Sequence, residues 1–372
     1  MRIGIDAREL KNGTMTGIGR FLLNFLKYAP QYKPKWEFIL FANQHAKLDF
    51  GLSNLKVRNI PEYITLGWDQ VELRRHIKKE RIDLFFSPYY KAPLLVSCHM
   101  VTTLLDVLFL KSPFYRAPAG FLYNCYIKNI LSSAANNADA IITSSDHSKR
   151  DIIQRLRLPQ GKIKVIPLGV EERFCPVGIE LIEKIKERYA LEGPYILYVG
   201  NLLPHKNVKG LLEAYARLPE GLKKEHRLVI VGNKGPGYNF LSKLAHGLDV
   251  SSRVIFTDFF DDADLPALYS GAGLFVFPSF YEGFGLPPLE AMACGAPVIS
   301  SNAASLPEVV GDAGILVDPE DITSLSRAIE NVLTDTDLGN RMRQKGLRRA
   351  KLFQAKDTAQ KILNLFDEII WK

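Results

Sequence analysis

The sequence predicts an α/β protein built of two doubly wound, parallel-sheet domains that face each other across a cleft. Three observations carry this. Short β-rich runs alternate with longer helical patterns along the 372 residues, the signature of parallel strands joined by crossover helices. The runs are apolar almost throughout, as strands covered on both faces require. The alternation breaks once, near 168–193, where LGVEERFCPVG gives way to the charged helical stretch LIEKIKERYA. A chain of this length fits two domains of about 150 to 200 residues each.

In the first domain, 1–170, the expected strands are RIGID (2–6), WEFILF (36–41), DLFFSP (83–88), MVTTLL (100–105), AIITSS (140–145) and IKVIPL (163–168). In the second, 171–354, they are YILYVG (195–200), RLVIVG (227–232), RVIFTD (253–258), LFVFPS (274–279), PVISS (297–301) and GILVD (314–318). Residues 355–372 carry Ile362, Leu363, Leu365, Phe366, Ile369 and Ile370 at helical spacing. That spacing predicts a closing amphipathic helix, free to pack back on the first domain.

A hydrophobic content of 47% with 24% charged residues belongs to a folded chain, not a disordered one. No apolar run approaches the ~20 residues of a membrane-spanning helix, and MRIGIDAREL reads as a first strand rather than a signal peptide. Cys98, Cys125, Cys175 and Cys294 are scattered without a C-x-x-C. This argues against a zinc site or a disulfide framework and suits a reducing, cytoplasmic compartment. The net charge of +8 is uneven: residues 1–170 hold 25 Lys and Arg against 13 Asp and Glu, and residues 171–372 hold 23 against 27. An excess of +12 in front points to an anionic partner there, or to simple solubility. The stretch KSPFYRAPAGFLYNCYIKN, Lys111–Asn129, mixes cations with aromatics, which suits an anionic membrane face or the packing of a long helix. No interleaved basic and aromatic motif demands nucleic acid.

The most informative stretch is FYEGFGLPPLEAMACGAPVIS, Phe280–Ser300. It follows the strand LFVFPS, and in open parallel sheets ligands gather at the carboxyl ends of strands. Gly283 and Gly285 permit close backbone approach, and Pro287 and Pro288 suit a first helical turn. Gly285 and Leu286 are thus expected to present N–H groups at a helix start, where an anion is welcome. Glu282 sits beside that anion and Glu290 about one turn further in; an acid there also suits the helix dipole with no ligand. Two carboxylates around an anion site make sense when phosphate is one part of a ligand whose other parts carry hydroxyls, as in a nucleotide sugar.

The Glu282-to-Glu290 spacing with EGFGLPPLEAMACGAPVI resembles the E-x7-E signature of retaining glycosyltransferase family 4, built on the GT-B fold of two Rossmann-like domains. IDAREL…TGIGRFLLN, ADAIITSSDHSKRDI, IKVIPLGVEERF, YVGNLLPHKNVKGLLEAY and ASLPEVVGDAGILVDP extend the resemblance over nearly the whole chain, and its nearest branch is mannosyltransferase-like. The resemblance implies that Glu290 hydrogen-bonds ribose hydroxyls, that Glu282 lies against the donor sugar, and that the amides of Gly283, Phe284, Gly285 and Leu286 meet the diphosphate and sugar. Lys206, in PHKN, is implied as a cation on the diphosphate. Asn201 stands where relatives often carry an arginine, so a charge is missing there. Gly17 and Gly19 in TGIGR resemble the glycine loop that covers the donor phosphates, although G-x-G alone reports no more than a turn. Leu105–Asp106 replaces a His-Asp pair, leaving the histidine's role vacant and Asp106 either on the acceptor side or as a helix cap. Asp258 stands in FTDFFDDADL, beside the expected base, where a glycine is common.

The implied activity is retaining transfer of a hexose, mannose favoured, from a nucleotide-diphosphate sugar to a saccharide or lipid-linked saccharide in surface polysaccharide assembly. The expected partners are the nucleotide sugar and that acceptor; a peripheral contact with an anionic membrane at the inner face of the cell membrane is the reading that the Lys111–Asn129 composition leaves open. No cofactor or metal is expected, since the two D-x-D stretches, Asp262–Asp264 and Asp335–Asp337, read as caps and solvated turns. The other readings are a GT-B nucleotide-sugar epimerase and a catalytically silent nucleotide-sugar-binding subunit.

Overall fold

The computed structural model describes all residues except 11–16, 47, 49, 63–66, 109–131, 236, 258–259 and 372. The chain divides into two compact units, one of Met1–Gly169 with Ala355–Lys372, the other of Val170–Gln354.

The first unit holds β1 (Arg2–Asp6), β2 (Glu37–Asn43), β3 (Leu55–Ile60), β4 (Leu84–Ser87), β5 (His99–Thr103), β6 (Ala140–Thr143) and β7 (Ile163–Val165), in the sheet order β3-β2-β1-β4-β5-β6-β7. Every pairing is parallel. β4 and β6 are buried at every position, as their unbroken apolar runs demand. The expectation missed β3: LKVRNI is an edge strand whose Lys56, Arg58 and Asn59 interrupt any apolar run. Expected strand ends overshoot at 105, 145 and 168, because Leu104, Ile166 and Leu168 stay buried after leaving the ladder. At the end of β1, buried Arg8 is held by Asp6 and Asp69 and lies 4.1 Å over the Trp68 ring.

The helix Ala355–Ile370 packs on the helix Gly17–Tyr32 of this unit. Phe366 meets Phe25 and Phe86 edge-on at 6.0 and 5.3 Å, and Lys33 pairs with Asp367 at 2.6 Å.

The second unit holds β8 (Tyr195–Val199), β9 (Arg227–Val231), β10 (Val254–Thr257), β11 (Leu274–Phe277), β12 (Val298–Ser301) and β13 (Ile315–Val317), in the parallel order β10-β9-β8-β11-β12-β13. Both sheets reverse their winding once, at β1/β4 and at β8/β11. Loops leaving the two strands of such a reversal part in opposite directions and leave a crevice for a ligand.

Candidate functional site

In the second unit the two motif loops leave the two strands of the reversal. β8 runs into a short 3-10 turn, Pro204–Lys206, and then Asn207 in the left-handed region at φ 54°. An asparagine tolerates that conformation better than most residues. Its side chain caps the helix Val208–Ala216 by accepting from the Gly210 N–H at 3.1 Å. Its amide donates to the carbonyls of Pro278 (3.1 Å) and Pro319 (2.8 Å). From the other strand, the Phe280 N–H and the Ser279 hydroxyl donate to the His205 carbonyl at 2.8 and 2.9 Å. The lysine loop is therefore stitched to the end of β11.

This stitching brings Lys206 to Glu282. The ammonium donates to both carboxylate oxygens, at 2.7 and 2.9 Å, and lies 5.2 Å above the Phe277 ring. Each side chain is 12% exposed, so the pair is shielded but reachable. The His205 ring beside it has its pKa pushed down to about 4 by burial and by the Lys206 charge, against the pull of Glu282.

Gly283 is half-buried, and Phe284 is buried against Phe353 with centroids 5.9 Å apart. Gly285 has φ 119°, and a Cβ there would stand 2.8 Å from Leu306 Cδ2. It precedes the helix Leu286–Ala293, which has Pro287 and Pro288 in its first turn. The positive end of that helix dipole adds to Lys206 in favouring an anion. The Ser305 hydroxyl is shared between the carbonyls of Glu282 (2.9 Å) and Phe284 (2.7 Å), which fixes the bend. Glu290 is only 3% exposed, and Oε2 accepts from the Tyr269 hydroxyl at 3.0 Å.

The remaining expected residues fall as follows. Asn201 is exposed, its side-chain oxygen accepting from the Leu203 N–H at 3.4 Å. Gly17 and Gly19 open the helix Gly17–Tyr32 in the first unit; Thr16 lies outside the described residues, as do 111–129 and Asp258. A Cβ on Gly17 would meet nothing within 4 Å, so local packing does not require glycine there. Asp106 accepts from the Leu108 N–H at 3.0 Å and, with Ile18, Tyr89, Tyr90, Thr103 and Leu105, lines a cavity of about 160 Å³ at the carboxyl ends of β4 and β5.

Asp262 pairs with Arg173, and Asp264 accepts from Arg188 and the Tyr189 hydroxyl at 2.8 and 2.9 Å. Asp264 does not cap its helix through its side chain, whereas Asp335 does cap one, accepting from Leu338 N–H at 2.9 Å. No group of three or more His, Cys, Asp or Glu placed to hold a metal ion occurs among the described residues.

Sequence reasoning missed Asn207, Ser305 and Tyr269. Asn207 carried a signal, an asparagine directly before an apolar helical run. Ser305 and Tyr269 carried none, since each acts on a partner about 20 residues away.

The chain is similar to known proteins over most of its length. Residues 15–174 match the model of Glycosyltransferase Family 4, and residues 182–349 that of Glycosyl transferases group 1. The chain is 35% identical over 267 residues to the O-antigen chain mannosyltransferase B of Escherichia coli, covering 72% of this chain and 69% of that one. It is also 35% identical over 237 residues to the serotype-specific mannosyltransferase WbdA of Escherichia coli, covering 63% of this chain and 29% of that longer one. Among solved structures, the sucrose-phosphate synthase of Thermosynechococcus elongatus superposes with a TM-score of 0.81 at 20% identity, covering 99% of this chain and 98% of that one. HepE of Anabaena, solved with UDP and glucose, gives 0.78 at 22% identity, covering 99% and 100%. The chain belongs to glycosyltransferase family 4: it is a hexosyltransferase of GT-B fold.

Proposed function

We propose that this enzyme transfers mannose, with retention, from a nucleotide-diphosphate mannose to a saccharide or lipid-linked saccharide acceptor during surface polysaccharide assembly. The observation that carries the proposal is the Lys206–Glu282 pair, delivered from both sides of the β8/β11 reversal next to the first turn of the helix Leu286–Ala293. A diphosphate supplies the anion this place favours, and the flanking acids suit the hydroxyls on either side of it. The two Escherichia coli relatives are named for mannosyl transfer, which supports the sugar and, through it, a GDP-linked donor.

In this reading the sugar C1–O bond to the diphosphate breaks, and its electron pair leaves with the phosphate oxygen. The acceptor oxygen bonds to C1 on the same face, and its proton passes to that phosphate oxygen. Lys206 and the amides of Gly283–Leu286 hold the developing negative charge, each good donor contributing on the order of 3 kcal/mol. Same-face transfer needs no covalent intermediate and so asks for no carboxylate nucleophile. Glu282 instead meets the sugar's hydroxyls. Glu290, held by Tyr269, meets the ribose hydroxyls. No metal takes part.

On the acceptor side, Asp106 and the Thr103 hydroxyl, which is buried without a hydrogen-bond partner among the described residues, flank the tyrosines Tyr89 and Tyr90 around the 160 Å³ cavity. This supports a sugar ring as the acceptor's reactive end. The enzyme works on the cytoplasmic side, where the nucleotide sugar is made.

The test is incubation with GDP-, UDP-, ADP- and dTDP-sugars, with and without a chelator, following donor loss and the anomeric proton of the product by NMR. Consumption of GDP-mannose in chelator, with the donor's anomeric configuration kept, is expected. An inverted product, or activity that chelator abolishes, overturns the mechanism.

A further inference from the structure

A second surface of the first unit has no part in donor chemistry. The turn Trp68–Glu72 and the helix Leu73–Lys79 bury Trp68, Leu73 and Ile77 in the core and leave Val71, Arg74, Arg75 and Lys78 exposed. Positions 71, 74, 75 and 78 share one helical stripe. The Gln70 side chain ties the preceding loop of β5 to this stripe, donating to the Ala92 carbonyl at 3.3 Å and accepting from the Leu94 N–H at 2.9 Å. Between stripe and loop lies a concavity of about 590 Å³, and no carboxylate lines it among the described residues.

Three features set this patch apart. Arg74, Arg75 and Lys78 line one concavity together, and none of them makes an ion pair with any described residue. Two of its lining residues are strongly exposed hydrophobics, Val71 at 59% and Leu95 at 61%. The loop residues Val96 and Ser97 also line an adjoining groove of about 1150 Å³ that carries Trp371, exposed at 77%. Unpaired cations call for an anion. Exposed apolar and indole side chains beside them call for a partner that also offers hydrocarbon.

We propose that this surface docks on an anionic lipid bilayer, with Arg74, Arg75 and Lys78 on headgroup phosphates and Val71, Leu95 and Trp371 entering the interface. A lone phosphate ion satisfies the cations but gains nothing from Val71 or Leu95, so the lipid is the source that fits both halves of the patch. The loop Leu95–Ser97 leads into the amino end of β5, the edge opposite the cavity at Asp106. Docking here leaves the ligand-bearing edge free and favours an acceptor long enough to reach it from the membrane. The inference extends the lipid-linked acceptor reading and rests on it for its purpose alone.

The test is flotation of the full chain with vesicles of phosphatidylglycerol mixed with phosphatidylcholine, and of phosphatidylcholine alone. Binding to the first and not the second is expected, weakening as salt is raised. Each cation replaced lowers affinity about fivefold, and Arg74→Gln/Arg75→Gln/Lys78→Gln together on the order of 100-fold. Val71→Ser/Leu95→Ser weakens binding as well, and inorganic phosphate does not compete. Unchanged melting temperature and donor hydrolysis show that the variants are folded. Equal binding to neutral vesicles, an undiminished triple variant, or competition by phosphate with Val71→Ser/Leu95→Ser indifferent overturns the proposal. If no donor is consumed by any form, the mannosyl reading fails while the vesicle result still stands.

Discussion

Replacing Lys206 by methionine and Glu282 by glutamine, singly and together, tests whether the two act as one unit. The ammonium sits 2.7 and 2.9 Å from the carboxylate oxygens, with both side chains 12% exposed. Lys206→Met removes a donor to the leaving diphosphate, about 3 kcal/mol or roughly 100-fold in turnover. It also strands the Glu282 charge in a shielded site that must admit a diphosphate, which adds a further penalty. Glu282→Gln releases the ammonium from its partner, so donor KM falls while kcat falls too, since the sugar loses its carboxylate. In the double variant the stranded charge is gone. The expected coupling is about 2 kcal/mol, some 30-fold, so the double variant turns over no more slowly than Lys206→Met alone. Single-turnover transfer measures this, with melting temperature checking the fold. Losses that simply multiply, leaving a coupling within about 0.5 kcal/mol of zero, refute the reasoning.

Gly285→Ala forces a Cβ to 2.8 Å from Leu306 Cδ2 at φ 119°, so donor KM rises at least tenfold, about 1.4 kcal/mol, because only glycine is at ease in that conformation. Tyr269→Phe removes the hydroxyl on Glu290 Oε2, and nucleotide affinity measured by calorimetry falls about fivefold, in line with roughly 1 kcal/mol for one hydrogen bond. His205 has its pKa lowered to about 4 by burial and Lys206, so the unfolded chain takes up its proton first. Its contribution to stability is complete above about pH 6.5 and is lost as pH falls from there towards 4. His205→Gln flattens the dependence of melting temperature on pH across that window; an unchanged slope counts against a neutral imidazole.

Much of the fold was readable because apolar runs such as LFFS and LFVF leave no alternative to strands covered on both faces. β3 was hidden because an edge strand is allowed to carry Lys56 and Arg58. Strand ends were misplaced because burial outlasts the ladder at Leu104 and Ile166. Within the site, the acids, glycines and Lys206 were visible as types in a pattern. Their meeting was not: residues 76 apart join only because β11 lies beside β8 in the sheet, and strand order leaves no trace in local sequence. The burial of Glu290 was equally hidden, since it depends on Tyr269 reaching across from another helix.

The central claim is tested most directly by a crystal structure with an intact nucleotide-diphosphate sugar. The account predicts diphosphate oxygens within hydrogen-bond distance of Lys206 Nζ and of the amides at Gly285 and Leu286, with Glu282 turned to the sugar. A ligand bound elsewhere, with the Lys206–Glu282 pair undisturbed, would contradict it.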